Sequence, residues 1–297
     1  MQPDFNRREF LKLTGMGAVV MASSLSGWGQ ALAAGQKDFF FLQLSDTHIG
    51  FSDTKVNPDF AGTLAKAIDS VNGMARRPDF VVFTGDLTHT TDDDAERRKR
   101  LAQFKKIASG LKVKDVRFLP GEHDAGLDNG KAYMEFFGKT HYVFKHKGVN
   151  FIALDNVSDP ASKVGDAQLQ WLSSELKHID MKAPIVILTH RPLFALYPDW
   201  DWDTRDSDKV LELLKPYQNV TVLYGHIHQE HHKQTGQVNQ HAARGLMYPL
   251  PAPGSVPKKA PIPWDPAQPY KDLGFRGIVT SAGQAMPELI EYPIKGA

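Results

Sequence analysis

Apolar residues in this chain come in short unbroken runs. Phe39-Phe40-Phe41-Leu42, Phe80-Val81-Val82-Phe83, Ile185-Val186-Ile187-Leu188 and Val220-Thr221-Val222-Leu223-Tyr224 are four of them, and the mixed segment Asp115-Val116-Arg117-Phe118-Leu119 reads as a further strand. Runs of this length with little alternation suit strands covered on both faces. Between them apolar residues recur at helical spacing: Phe60, Leu64, Ile68 and Val71; Leu101, Phe104, Ile107 and Leu111; Leu169, Leu172, Leu176 and Ile179. Strand and helix in alternation predict an α/β domain.

The pattern also predicts details. Asn57-Pro58 offers an N-cap and a first-turn proline for the first helix. A charged helix is expected over 93–111, with residues 96–100 as its solvated face. Residues 141–145 and 150–154 read as a hairpin around Lys147-Gly148. A further helix is expected over 206–217. The last seventy residues carry many prolines and glycines, with candidate strands at 243–247, 274–280 and 289–292 and a long surface loop over 249–269. No internal repeat and no linker divides the chain.

Each of five strands ends in residues that bind metals. The exits carry Asp46 and His48; Asp86; Glu122, His123 and Asp124; His190; and His226 with His228. Each has a bland alternative as a helix cap, a core histidine or a turn residue. Together they converge, because ligands of open α/β sheets bind outside the carboxyl ends of the strands. Mixed imidazole and carboxylate donors suit iron, manganese or zinc. There are too many donors for one ion, so two ions sharing a carboxylate is the economical reading. Paired ions clamp the attacking and leaving oxygens of a displacement at phosphorus and turn a bridging water into a hydroxide nucleophile. Arg191, Trp200 and Trp202 are weaker candidates for contact with substrate. His231, His232 and His241 read as surface residues.

Composition narrows the picture without changing it. The chain has 297 residues, 41% hydrophobic and 23% charged, with a net charge of +1. No polybasic face announces nucleic acid or an anionic membrane. There is no cysteine, which excludes disulfides, thiolate metal sites and a thiol nucleophile. Residues 1–35 read as an export leader: Asn6-Arg7-Arg8-Glu9-Phe10-Leu11-Lys12, a modestly apolar stretch over 13–25, then the small-x-small pattern Ala31-Leu32-Ala33. The stretch is too short and polar for a stable membrane span.

The arginine pair with Phe10-Leu11-Lys12 resembles the twin-arginine export signal, which implies the export machinery as a partner, cleavage near Ala33 and a periplasmic or otherwise exported protein. The remainder, 36–297, reads as one domain. The order Asp46-x-His48, Gly85-Asp86, Gly121-Glu122-His123-Asp124, His190, Gly225-His226-x-His228 resembles the calcineurin-like metallophosphoesterase superfamily. The likeness is greatest to its bacterial branch of cyclic-nucleotide and glycerophosphodiester phosphodiesterases, and residues 165–172 look like a segment usual in that branch. The resemblance implies a four-layer α/β/β/α sandwich of two mixed β-sheets, with the metal site at strand C-terminal ends. It implies Asp46, His48 and His228 on one ion, Asp86 bridging, and His190, His226 and the residue at 122 on the other. His123 would act near the leaving-group oxygen, with Asp124 supporting it.

One position departs from the family pattern, which has Asn where this chain has Glu122. A glutamate is longer, anionic and, when ionised, donates nothing. It lowers the positive charge of a two-ion site by one. Three consequences stay open: a preference for singly charged diesters, a trivalent ion at one position, or a Glu122 that swings away from a weak second site. The function expected is an exported dinuclear phosphoesterase acting on small phosphate esters, with diesters foremost. The alternatives are a homologue that binds metal or ligand without turnover, and a metal carrier.

Overall fold

The computed structural model describes residues 19–20, 38–281 and 287–295. The leader expected over 1–35 therefore lies outside the described residues, apart from Val19 and Val20. The element order is β1 (Val19–Val20), β2 (Phe39–Leu44), α1 (Thr63–Asn72), β3 (Phe80–Thr84), α2 (Asp94–Ala108), β4 (Val116–Leu119), α3 (Glu122–Ala125), α4 (Lys131–Phe137), β5 (Tyr142–His146), β6 (Val149–Ala153), α5 (Asp166–Leu176), β7 (Pro184–Leu188), α6 (Ser207–Leu214), β8 (Asn219–Tyr224), β9 (His231–Thr235), β10 (Val238–Ala242), β11 (Gly274–Thr280) and β12 (Glu288–Pro293).

The strands form two six-stranded sheets, ordered β1-β12-β11-β2-β3-β4 and β5-β6-β7-β8-β10-β9. Both are mixed. Strands β2, β3 and β4 are parallel, and β11 lies antiparallel to β2. In the second sheet β6, β7, β8 and β10 are parallel, with β5 and β9 antiparallel at the edges. The period-2 alternation of side chains sorts the apolar runs into layers. Phe39 and Phe41 of β2 meet Phe151, Val186, Leu188 and Leu223 of the second sheet in the central layer. Phe40, Leu42 and Leu44 turn the other way, onto Leu64 and Ile68 of α1 and Phe104 of α2. On the far side Ile185, Ile187, Val220 and Val222 pack against Leu169 and Leu172 of α5 and Val210 and Leu214 of α6. This is the four-layer α/β/β/α sandwich that the family resemblance implied.

Several boundaries differ from the sequence expectation. Helix α1 begins at Thr63, with Gly62 before it, and not at Asn57-Pro58. Asn57 does cap a turn, its Oδ1 accepting from the Asp59 N–H at 2.9 Å, while its amide donates to Thr63 Oγ1 at 3.0 Å and to the Met247 carbonyl at 2.8 Å. Helix α2 starts as expected, with Asp93 accepting from the N–H groups of Ala95 and Glu96. It stops at Ala108, and its charged run is not all solvated. Arg97 is buried between Asp94 and Asp128, and Arg100 donates to the His89 carbonyl at 2.9 Å. The helix expected over 206–217 spans only Ser207–Leu214.

The C-terminal region departs most. Residues 243–247 form no strand. Their N–H groups serve the loop after β2, with Leu246 N bonded to Ser45 O and Met247 N to Asp46 O, both at 3.1 Å. The strand in this region is the hairpin β9–β10, which adds to β8. It carries all three histidines set aside as surface residues. His232 is exposed, its Nδ1 2.8 Å from Nδ1 of the half-buried His241, and His231 Nδ1 meets the Tyr224 hydroxyl at 3.1 Å. Residues 249–273 hold no regular element, and β11 then returns to the first sheet beside β2.

Candidate metal centre

The two sheets present their C-terminal edges to the same space. From the first sheet, β2 delivers Asp46 and His48, β3 delivers Asp86, and β4 delivers Glu122 and His123. From the second, β7 delivers His190 and β8 delivers His226 and His228. Five of these residues take left-handed backbone conformations: Asp46 at φ 56°, His48 at 41°, Asp86 at 48°, His226 at 66° and His228 at 54°. Residues other than glycine seldom do so, and clustering at one place marks a functional site. The left-handed turn bends each chain sharply off its strand, which aims the side chains across the sheet edge instead of along it.

Close approach of the loops requires glycine. A Cβ on Gly225 would stand 2.0 Å from Ser45 Oγ and 2.7 Å from Asp46 Oδ2. One on Gly121 would stand 2.1 Å from the Asp86 nitrogen. These contacts let backbone N–H groups orient the carboxylates. His226 N donates to Asp46 at 3.1 Å, and His123 N donates to Asp86 Oδ1 at 3.0 Å.

Two groups of donor atoms result, each within 4.8 Å of one another: Asp46, His48, Asp86 and His228, and Asp86, Glu122, His190 and His226. Asp86 belongs to both. Its Oδ2 lies 3.6 Å from His48 Nε2 and 3.4 Å from His190 Nε2. His48 Nε2 and His228 Nε2 face each other at 3.1 Å. The structure thus brings together the residues singled out from sequence, with His226 in one group and His228 in the other.

The donor set fits metal ions on a second count. Three imidazoles give their far nitrogen to a backbone carbonyl: His190 Nδ1 to Thr84 O at 2.7 Å, His228 Nδ1 to Tyr248 O at 2.6 Å, and His226 Nε2 to Asp201 O at 2.9 Å. A carbonyl only accepts, so one proton sits on that nitrogen and the inner one is left as the nitrogen that can bind a metal once any second proton is lost. The inner nitrogens His190 Nε2 and His226 Nδ1 are buried and face only the carboxylates of the site, Glu122 at 2.8 Å from each. Imidazole nitrogens and carboxylate oxygens crowded on one buried space are a donor set that a cation fits.

Charge reinforces this. Burial and Glu122 oppose ionisation of Asp86, yet His190 and His123 hold its carboxyl far below the usual range. Burial opposes ionisation of Glu122 too, but His226, Arg191 and His190 keep it anionic. His190 is pushed the other way: burial disfavours its charge, but Asp86 and Glu122 raise it well above an ordinary imidazole. Protons thus balance the anionic centre where ions would.

Glu122 does not swing away. Its Oε1 lies 2.8 Å from His226 Nδ1 and its Oε2 lies 2.8 Å from His190 Nε2. Arg191 Nε is 3.7 Å from the same carboxylate, while Nη2 pairs with Asp201 Oδ2 at 2.6 Å. Arg191 thus lies beside the site, though buried and shared. The two tryptophans are corrected. Trp200 is 5% exposed and Trp202 0%, packed with Phe51, Tyr224, Ile227 and Tyr248. They fill the wall behind the site and do not line its mouth. Their loop reaches the site by backbone, since Asp201 O accepts from both His226 and Arg191.

Asp124 is also corrected. It does not touch the His123 ring. Its carboxylate accepts from Leu87 N, Thr88 N, Thr88 Oγ1 and Gly121 N at 2.8–2.9 Å. It therefore ties together the loops that bear Asp86 and Glu122. Burial and the Asp86 charge push it up to about 6 despite these donors. The partner of His123 is Thr90, whose backbone N–H donates to Nδ1 at 3.1 Å and whose hydroxyl also meets Nδ1. An Nδ1 that accepts from an amide leaves the proton on Nε2, which faces Asp86 Oδ2 at 3.8 Å. His89 was missed as well. Its ring stacks on His123 with centroids 5.0 Å apart, and with His48 and His123 it makes a third donor group. Thr90 and His89 sit just past Gly85-Asp86, which was a usable signal. Tyr248, stacked on His48 and His228, lies in irregular chain and gave none.

Comparison with known proteins agrees with this geometry. Residues 41–230 match the family model described as calcineurin-like phosphoesterase. A probable glycerophosphodiester phosphodiesterase of Arcobacter nitrofigilis is 26% identical over 203 residues, 63% of this chain and 71% of that one. A probable cyclic nucleotide phosphodiesterase of Rhodococcus erythropolis is 27% identical over 200 residues, 64% of each chain. The crystal structure of a dimetal phosphatase from Danio rerio shares the fold at 14% identity with a TM-score of 0.55, covering 86% of this chain and 99% of that one. The chain belongs to the calcineurin-like phosphoesterase family and is a metal-dependent phosphoric ester hydrolase.

Proposed function

We propose that this protein is an exported phosphodiesterase with two metal ions. The observation that carries the reading is the pair of four-donor groups that share Asp86. Asp46, His48 and His228 would hold one ion, and Glu122, His190 and His226 the other. Iron, manganese and zinc suit such donors. When bound, two ions supply a Lewis-acid pair and activate a water for in-line displacement at phosphorus. The chain's own residues do the rest. His123 presents Nε2–H toward the site and donates to the leaving-group oxygen. Asp124 holds the two loops in register.

Glu122 decides the substrate class. Its negative charge offsets one unit of the ions' charge, and Arg191 does not return it, because that guanidinium is shared with Asp201. A less positive centre favours a singly charged diester over a doubly charged monoester. The names of the relatives above are in keeping with diesters. The test is Glu122→Asn, assayed with chromogenic bis- and mono-esters after loading with Mn²⁺. A shift of the ratio toward monoesters by tenfold or more supports the reading; an unchanged ratio with unchanged ion count defeats it.

A second reading has one observation in its favour. Glu122 with His190, His226 and Arg191 already forms a self-compensated cluster. It would then occupy the second position in place of an ion, and the protein would bind one ion without turnover. A wild-type chain with a single ion and no hydrolysis, made active by Glu122→Asn, would establish that reading. Export rests on Arg7-Arg8 and the stretch that follows. Cell fractionation of the Arg7→Lys, Arg8→Lys double variant tests it: retention in the cytoplasm supports twin-arginine export, and unchanged export overturns it.

A further inference from the structure

The segment after β10 brings one more polar group to the first set of donors, the Tyr248 hydroxyl. Tyr248 is 6% exposed. Its ring lies over those of His48 and His228, with centroids 4.9 and 4.6 Å away and interplanar angles of 26° and 25°. Its carbonyl accepts a hydrogen bond from His228 Nδ1–H. Its hydroxyl stands 3.4 Å from His48 Nε2, and no other described residue bonds to it.

A phenylalanine could make the same stack and the same backbone bond. What the phenol adds is a proton beside His48 Nε2. Once that nitrogen gives its lone pair to an ion, it no longer accepts, and the hydroxyl becomes a buried donor without a partner. Such a group is costly to leave unmet. Four protein donors already surround the first position, so the remaining places around an ion there belong to exchangeable ligands. A phosphoryl oxygen is an acceptor of the right charge and occupies such a place.

We propose that Tyr248 is a substrate-contacting residue: its hydroxyl donates a hydrogen bond to a non-bridging phosphoryl oxygen of the ester bound beside Asp46, His48 and His228. The proposal rests on the dinuclear reading above and adds to it a donor from outside the strand-end motifs. The same contact would serve inorganic phosphate, which carries the same oxygens.

The experiment uses the full chain loaded with Mn²⁺. Ion content is measured by elemental analysis, and binding of inorganic phosphate by calorimetry, for wild type and Tyr248→Phe. The expected result is unchanged ion content and unchanged melting temperature, with phosphate affinity lower by about tenfold to a hundredfold, the range for a hydrogen bond to a charged group. Loss of an ion in the variant overturns the proposal, because the phenol would then be a metal ligand. Unchanged phosphate affinity also overturns it, because the ring would then only stack. A failure of the dinuclear reading appears separately, in the ion count of the wild-type protein.

Discussion

Thr90 shows what one side chain contributes to this site. Its backbone N–H and its hydroxyl both meet His123 Nδ1, so His123 carries its proton on Nε2, toward Asp86 and the donor groups. A positioned proton donor contributes about 10²–10⁴-fold to rate. Thr90→Val keeps the backbone bond and loses the hydroxyl, and kcat should fall several-fold, up to about tenfold, with KM little changed. Thr90→Ser should restore it. An equal loss in the Ser variant would show that the methyl group, not the hydroxyl, matters. The histidines make a second prediction at this scale. In the metal-free protein Asp86 and Glu122 raise His190 against the cost of burial, and Asp46 raises His228 in the same way. Both therefore keep a second proton to higher pH than an ordinary imidazole, and ions must displace those protons. Metal affinity should fall as pH drops below neutral, and ion uptake should release protons. Calorimetry of Mn²⁺ binding in buffers of different ionisation enthalpy reads this release directly; identical heats in all buffers would contradict it.

At the scale of elements, the strand exits matter more than the strands. A strand delivers its last residue along its own axis, but the ligands must point across the sheet edge. The left-handed turns at Asp46, His48, Asp86, His226 and His228 make that change of direction. Such conformations cost about 1–3 kcal/mol each unless the surroundings enforce them. Glycines beside the ligands let neighbouring exits interlock closely enough to do so. Gly225→Ala would place a methyl group against Ser45 and Asp46. We expect it to destabilise the fold by about 1–3 kcal/mol and to abolish binding of the ion that Asp46 and His228 would hold on the proposed reading. Urea unfolding together with ion analysis checks both, and full metal content in the variant would mean that the β2 exit yields without loss.

On the scale of the molecule, the family match ends at residue 230 but the structure does not. Strand β11 fills the place beside β2, and Arg276 of β11 pairs with Glu291 of β12 in the interior. Leu246 and Met247 hold the exit of β2 through backbone bonds, and Tyr248 holds His228. A chain ended after residue 243 would expose the edge of β2 and release the Asp46 loop. It should lose cooperative unfolding and metal binding together. A truncated chain that melts sharply and binds two ions would show that the last fifty residues are an accessory.

The sequence by itself determined the strands of both sheets' centres, their alternation with helices and the candidate residues that the structure gathers into the two donor groups sharing Asp86. It could do so because buried parallel strands are continuous apolar runs, and because the donors follow those runs immediately. The resemblance carried by the same residues supplied the layering and the division of the donors. Tertiary structure decided what depends on distant segments meeting. Asp124 supports loops instead of His123, because four backbone and hydroxyl donors from two strand exits converge on it. Trp200 and Trp202 went into the core because the irregular C-terminal segment covers them. Asn57 caps only a turn ahead of helix α1 and ties that turn to Met247, 190 residues away. Thr90, Asp201 and Tyr248 entered the site through contacts that no local pattern encodes. Local periodicity reports what a segment buries, whereas the partner of a polar group is settled only when both sheets close on each other.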